Sequence, residues 1–388
     1  MKKIGIITLY YDSQNYGGLL QSYALTYYIN NKLGYLAEQI CYKPDTIRLG
    51  FDIKKRQRKL SKLLNPNCYL KKMEGVILNF YNKFFLSKKL RLRYSSCKTF
   101  ERSIPHSKLI YDYCNIQECQ QQYDMFIVGS DQVWNMNWFD KNLFLDFVSD
   151  NKTKIAYGVS LGNGLFNNKQ KEYLRTVLPC FAAVSVREKN MVEVLQPLYK
   201  NSKISWVLDP TMLLDKKDWD NISSKRIIEG NYLFCYFLGN GKRIRILAKK
   251  YAKRHNLQIV SLPHLSAVIK YDIGFGDYKL YNITPNDFIS LIKYSERVFT
   301  DSFHASVFSI LYNKTFFVSN RLGIDVMSDR IYSLCELFGC GSHFLDADDK
   351  LNIKYIESVN QLESNYCFSK FNEIKKKSID FLEQNLSR

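Results

Sequence analysis

The run Thr300-Asp301-Ser302-Phe303-His304 is the sharpest concentration of potential chemistry in the chain. An apolar strand pattern, Val298-Phe299-Thr300, passes directly into a helical one that begins at Phe303. Ser302 suits the N-cap of that helix, and free amides at a helix start can hold an anion. An imidazole placed there can give or take a proton, because its ordinary pKa is about 6.5. A lone histidine is more often structural, so the neighbours of His304 have to carry the argument. The other histidines, at 106, 255, 264 and 343, read as surface or loop residues, with His264 a distant second candidate.

Four further clusters share one property: each follows an apolar strand pattern. In Asn15-Tyr16-Gly17-Gly18 the paired glycines allow a tight turn and close approach of backbone to a ligand; a plain strand-to-helix turn is the alternative. Gly129-Ser130-Asp131 offers a sharp turn, a donor and an acceptor, and reads equally as an Asx turn. Ser160-Leu161-Gly162 closes a third strand. Arg187, after Val184-Ser185-Val186, can clamp a carboxylate or phosphate with its fork, or form a salt bridge to Glu188 or Asp209.

The elements that position these clusters alternate. Residues 3–9, 35–42, 125–128, 153–157 and 182–186 read as strands, with helices at 19–28, 167–178 and 188–197. A second block follows, with strands at 232–238, 256–261, 297–300 and 315–318. Its helices fall at 241–254, 285–294, 303–313 and 328–339, and a terminal helix spans 368–386. Strands alternating with helices predict parallel sheets covered on both faces. Two such blocks predict an α/β protein of two Rossmann-like domains, 1–208 and 209–360. Residues 361–388 form a tail helix that packs back on the first domain. Ligands of open α/β sheets bind beyond the carboxyl ends of the strands, where all five clusters lie.

Residues 46–102 break the rhythm. They hold sixteen Lys/Arg against three acids (Asp52, Glu74, Glu101), most of the chain's formal net charge of +19. Leu60, Leu63, Leu64 and then Leu70, Met73, Ile77, Phe80 and Phe84 keep helical spacing, which predicts a basic helical insertion. Such a stretch can dock on an anionic membrane surface or remain a solvated hairpin. So large a positive charge calls for an anionic partner. Its confinement to one segment, without any nucleic-acid-binding motif, argues against nucleic acid. No segment reads as a signal peptide or a membrane span, so a cytoplasmic protein is expected, with peripheral contact at the inner face of the plasma membrane. The ten cysteines include no CxxC and no metal-ligand spacing, and read as reduced, buried apolar residues.

Taken in order, these motifs resemble the polysaccharide pyruvyl transferase family. The resemblance rests on Asn15-Tyr16-Gly17-Gly18 through Leu25, on Tyr123 to Trp134, and on Ala156 to Gly162. It continues in Ser185-Val186-Arg187-Glu188, Leu208-Asp209-Pro210-Thr211 and Thr300 to His304. It implies a glycosyltransferase type B-like fold whose two domains face a cleft. It also implies phosphoenolpyruvate as co-substrate, no cofactor and no metal, and a lipid-linked sugar acceptor of a capsule or exopolysaccharide. His304 matches the family's catalytic histidine, with Asp131 and Asp301 as candidate proton acceptors. Arg187, Ser302, Phe303, Ser160 and Gly162 fall at the donor, and Asn15, Tyr16, Gly17, Gly18 and Ser130 at the acceptor or cleft. Many members carry an Arg two residues before the histidine, where this chain has Ser302. A nucleotide-sugar glycosyltransferase on the same fold, or an inactive relative serving as an assembly partner, are the alternatives.

Overall fold

A computed structural model describes residues 2–44, 87–162, 166–264, 269–321, 328–345, 350, 352–361 and 366–388. The first domain runs β1 (Lys3–Ile7), α1 (Tyr16–Tyr27), β2 (Leu36–Tyr42), α2 (Ser87–Glu101), β3 (His106–Tyr111) and β4 (Met125–Val128). It continues with β5 (Thr153–Val159), α3 (Asn168–Val177), β6 (Ala183–Val186), α4 (Lys189–Leu195) and β7 (Ser205–Trp206). After α5 (Lys216–Ile222), the second domain runs β8 (Tyr232–Tyr236), α6 (Lys242–Arg254), β9 (Gln258–Ser261), β10 (Tyr278–Lys279) and α7 (Pro285–Lys293). Then come β11 (Arg297–Thr300), α8 (Phe303–Leu311), β12 (Phe316–Ser319), α9 (Ser328–Phe338) and β13 (Phe344–Leu345). The chain ends with α10 (Ile353–Gln361) and α11 (Ser369–Leu386).

Each domain carries one sheet, and among the described residues every strand pair is parallel. The orders are β3-β2-β1-β4-β5-β6-β7 and β10-β9-β8-β11-β12-β13. Both follow the doubly wound pattern, whose winding reverses between β1 and β4 in one sheet and between β8 and β11 in the other. The central strands are buried on both faces, as in Met125–Val128 and Tyr232–Tyr236, which explains their unbroken apolar runs. β3 and β7 escaped the sequence reading because edge strands need no continuous apolar run: β3 exposes Leu109 and Ile110, and β7 is two residues long. The basic helices expected at 60–84 lie outside the described residues. Only α2, at the end of that segment, is described.

One apolar core joins the two domains. It contains Leu19 and Leu20 of α1, Phe288 of α7 and Phe308 of α8. Tyr16 crosses the boundary: its hydroxyl donates to the Ile283 carbonyl at 3.1 Å and its ring stacks on Phe288 with centroids 5.0 Å apart. Arg93 of α2 donates across the same boundary to the carbonyls of Pro263 and Leu280. α8 is buried from Phe303 to Ile310, which suits a helix that is apolar almost all round. α11 returns to the first domain, where Ser378 accepts from the Leu208 amide at 2.9 Å and Arg388 donates to the Ala182 carbonyl. No helix among the described residues is long and apolar enough to cross a membrane. Of the nine cysteines described, six are buried and Cys114, Cys180 and Cys367 are exposed, against the expectation that all are buried.

His343 corrects its reading as a surface residue. It is 4% exposed and lies among Phe316, Phe317 and Tyr366. Burial pulls its imidazole down to about 4, because charging it there would strip its hydration, and Arg297 adds to the effect. A ring held below its ordinary value contributes stability that is complete above about pH 6.5 and is given up as the pH falls towards 4, about 3 kcal/mol in all. In His343→Leu the loss of unfolding midpoint between pH 7 and pH 4 will be smaller than in the parent chain. Parallel curves for the two proteins would overturn this assignment.

Candidate active site

The two winding-reversal points face each other. The turn after β1 leads into α1, and Asn15 caps that helix by accepting from the Gly17 amide at 3.1 Å. The turn after β11 leads into α8, where Ser302 caps by accepting from the Ala305 amide at 3.4 Å. His304 projects from the first turn of α8 against the first turn of α1. A Cβ built on Gly17 would fall 2.0 Å from Nδ1 of His304. The glycine is thus required by contact across the domain boundary rather than by its own backbone. A Cβ built on Gly18 would fall 3.3 Å from the carbonyl oxygen of Leu9.

Beside His304 lies a buried group of charges. Arg187, at the end of β6, is 5% exposed. Its Nη1 donates to Asp209 at 2.6 Å, its Nη2 to Asp131 at 3.1 Å, and its Nε lies 3.6 Å from Glu188. These carboxylates follow β7, β4 and β6, so one guanidinium gathers the carboxyl ends of three strands. Asp209 also lies 3.5 Å from Nε2 of His304, an ion-pair separation longer than a hydrogen bond. Its other oxygen accepts from the amide and hydroxyl of Thr211. A second guanidinium, Arg330 of α9, stands 3.4 Å from Asp131. Phe303 packs against both cations, 4.7 Å from Arg187 and 5.9 Å from Arg330 at the ring centroid.

The electrostatics follow from this packing. Burial opposes the charge on Asp209, but His304, Arg187 and Thr211 outweigh it and hold the carboxyl well below its usual range. Burial likewise opposes the charge on Asp131, and Arg187, His304 and Arg330 overcome it, so Asp131 is also lowered. Glu188 goes the other way: burial raises its carboxyl, and the two arginines only partly offset this. Arg187 is held above its ordinary value, since its carboxylate partners exceed the cost of burial. For Arg330 the balance reverses. Burial and then the adjacent Arg187 pull it down to about 9, still charged at neutral pH. A cavity of about 20 Å3 opens here, lined by Arg187, Asp209, Phe303 and Arg330 together with Trp206 and Leu334.

The other residues singled out in the sequence fall in different places. Asp301 spends both carboxylate oxygens on the amides of Leu238 and Gly239, at 2.6 and 2.8 Å, and braces the loop after β8. Tyr16 is fully buried between the domains, where its hydroxyl and ring are already engaged. Ser130 is buried and donates to the Gly158 carbonyl at 2.7 Å. Ser160 is buried and its side chain lies against Glu188. Gly162 has a positive φ of 77° and approaches Asn135 closely. His264 hangs from a loop whose amide donates to Asp272. Arg330 went unnoticed in the sequence. Its signal was an arginine in register with Leu334 and Leu337 on the apolar face of a helix. Asp209 was visible as an alternative ion-pair partner of Arg187, which the structure shows it to be, but not as a neighbour of His304. Among the described residues no group of His, Cys, Asp and Glu could hold a metal ion.

Two Rossmann-like domains, each with one doubly wound parallel sheet, define a glycosyltransferase type B-like fold. Solved structures agree on the fold. A UDP-GlcNAc 2-epimerase from Methanocaldococcus jannaschii superposes with a TM-score of 0.55 at 12% identity, over 98% of this chain and 99% of that one. UDP-GlcNAc 2-epimerase from Neisseria meningitidis, bound to UDP-GlcNAc, gives 0.52 at 11% identity over the whole of both chains. UDP-N-acetylglucosamine 2-epimerase from Rickettsia bellii gives 0.52 at 10% identity, over 100% of this chain and 96% of that one. No curated protein matches the chain in sequence. The sequence profile of the polysaccharide pyruvyl transferase family matches residues 15–321, and the chain belongs to that family. It is a pyruvyl transferase of polysaccharide biosynthesis.

Because Gly17 lies in a helix, alanine there is otherwise favoured locally by up to about 1 kcal/mol. The added methyl has to displace the His304 ring, and a shift near 1 Å at a reacting group costs on the order of 10²-fold in rate. Gly17→Ala is therefore expected to keep the fold and lose turnover by about that factor. Unchanged turnover would show that the ring has no need of that position.

Proposed function

We propose that the chain transfers pyruvate from phosphoenolpyruvate to two hydroxyls of a sugar, closing a cyclic ketal and releasing phosphate. The observation that carries this reading is His304, set in a buried turn beside two guanidiniums and an ionised Asp209. His304 acts as the general acid–base. It protonates the methylene carbon of the donor and leaves an oxocarbenium-like centre that one hydroxyl attacks. Phosphate departs and the second hydroxyl closes the ring. One hydroxyl proton ends on the new methyl group and the other on phosphate. Asp209 offsets the charge on the imidazole while it holds a proton, and the guanidiniums suit the donor's carboxylate and phosphate.

Asp131 is the better of the two candidate proton acceptors. It is ionised and faces the cation pair, whereas both oxygens of Asp301 are taken by backbone amides. A lipid-linked precursor as acceptor, with the basic segment 46–102 against an anionic leaflet, fits the chain's charge distribution.

The test is phosphate release from phosphoenolpyruvate by the purified chain with a panel of lipid-linked or aryl hexosides. Acceptor-dependent release is expected, falling roughly 10²–10⁴-fold in His304→Ala. Release that persists undiminished in that variant would remove His304 from the mechanism. No release with any acceptor, and no thermal stabilisation by phosphoenolpyruvate, would count against the donor itself.

A further inference from the structure

The family's arginine two residues before the histidine is absent here, yet the site does not lack a second cation. Ser302 cannot replace it. Its hydroxyl is the cap of a buried helix, and its amide donates to Thr300 Oγ1 at 3.0 Å. Arg187 is more fully committed, because each of its Nη atoms already donates to a carboxylate, Asp209 and Asp131, and among the described residues only its Nε lacks a hydrogen-bond partner. Arg330 differs. Its side chain is 3% exposed, and among the described residues its Nε and Nη2 have no hydrogen-bond partner. Its contact with Asp131 is long, at 3.4 Å, and Asp131 is shared with the nearer Arg187. Arg330 reaches the ring of Phe303, the residue between Ser302 and His304, from a different helix.

A buried guanidinium with open N–H groups is costly as long as nothing accepts from them. That cost is recovered when an oxyanion arrives to accept from those groups. We propose that Arg330 supplies from α9 the donor-binding charge that the position of Ser302 lacks, exchanging its long contact with Asp131 for an oxyanion of the donor. Asp131 keeps Arg187 as partner throughout, so the exchange strands no carboxylate. The proposal rests on the pyruvyl-transfer reading for the identity of the donor, but not for the existence of the anion site.

Three proteins test it: the parent chain, Arg330→Met, and Arg330→Met combined with Ser302→Arg. Binding of inorganic phosphate and of phosphoenolpyruvate is measured by calorimetry, and KM and kcat are measured with a working acceptor. Arg330→Met is expected to weaken both ligands and raise the donor KM by roughly 10–100-fold, the worth of one or two charged hydrogen bonds. Its unfolding midpoint should hold or rise, because an apolar residue replaces an unpaired buried cation. The added arginine at 302 should recover at least part of the affinity, which a merely structural role for Arg330 would not allow. Unchanged phosphate affinity and donor KM in Arg330→Met would overturn the proposal while leaving pyruvyl transfer intact. A lowered midpoint with no rescue in the double variant would also overturn it. Loss of phosphate binding in Arg330→Met, with a parent chain that never consumes phosphoenolpyruvate, would uphold the site and reject the donor.

Discussion

A guanidinium taken out of water has to find its counter-charges inside the protein, and Arg187 finds them on three different strands. Asp131, Asp209 and Glu188 stand at the ends of β4, β7 and β6, and one buried cation draws them into a single cluster. Removing one partner from such a group typically costs 3–5 kcal/mol, because the remaining charges stay buried. The carboxyl ends of the first sheet are therefore fixed before any ligand arrives. Asp209 transmits that order to the second domain through His304, and Phe303 does so through its face against the guanidinium.

The same arrangement explains why the site is legible in pieces. The strand-helix alternation marked both sheets, since parallel strands buried on two faces have continuous apolar runs. It also located every cluster beyond a strand end, where the doubly wound topology collects ligands. What the pattern could not tell was which polar side chain turns inward to structure and which to the cleft. Asp301 and Asp131 both follow a strand in the sequence. One is consumed by the amides of Leu238 and Gly239, and the other meets two arginines. Tyr16, in the midst of the first glycine turn, is a pillar between the domains. Arg330 stayed hidden because it is the single charge on an apolar helical face, and periodicity reads such a face as core.

The charges also differ in the work they can do. Asp209 and Asp131 are held ionised at neutral pH and Glu188 is pushed towards its neutral form, although all lie within reach of Arg187. The difference is the number of cations and donors each one meets. Asp209 has Arg187, His304 and Thr211, whereas Glu188 meets Arg187 only at 3.6 Å and has no such set of donors against its burial. Environment rather than residue type assigns the roles, a common arrangement where proton transfer is managed.

α8 has a consequence for how this protein can change over generations. It belongs to the second sheet by sequence, but α1 of the first packs against it, and the His304 ring occupies the space left open by Gly17. A recombination that exchanged the second domain at the Asp209-Pro210 junction would bring a new helix to an old socket. Such a hybrid would meet a steric mismatch at the His304 ring, even if both sheets folded. The unit that can be inherited intact is therefore the pair of helices with their glycine and histidine, and new acceptors are more readily gained by altering the loops around it.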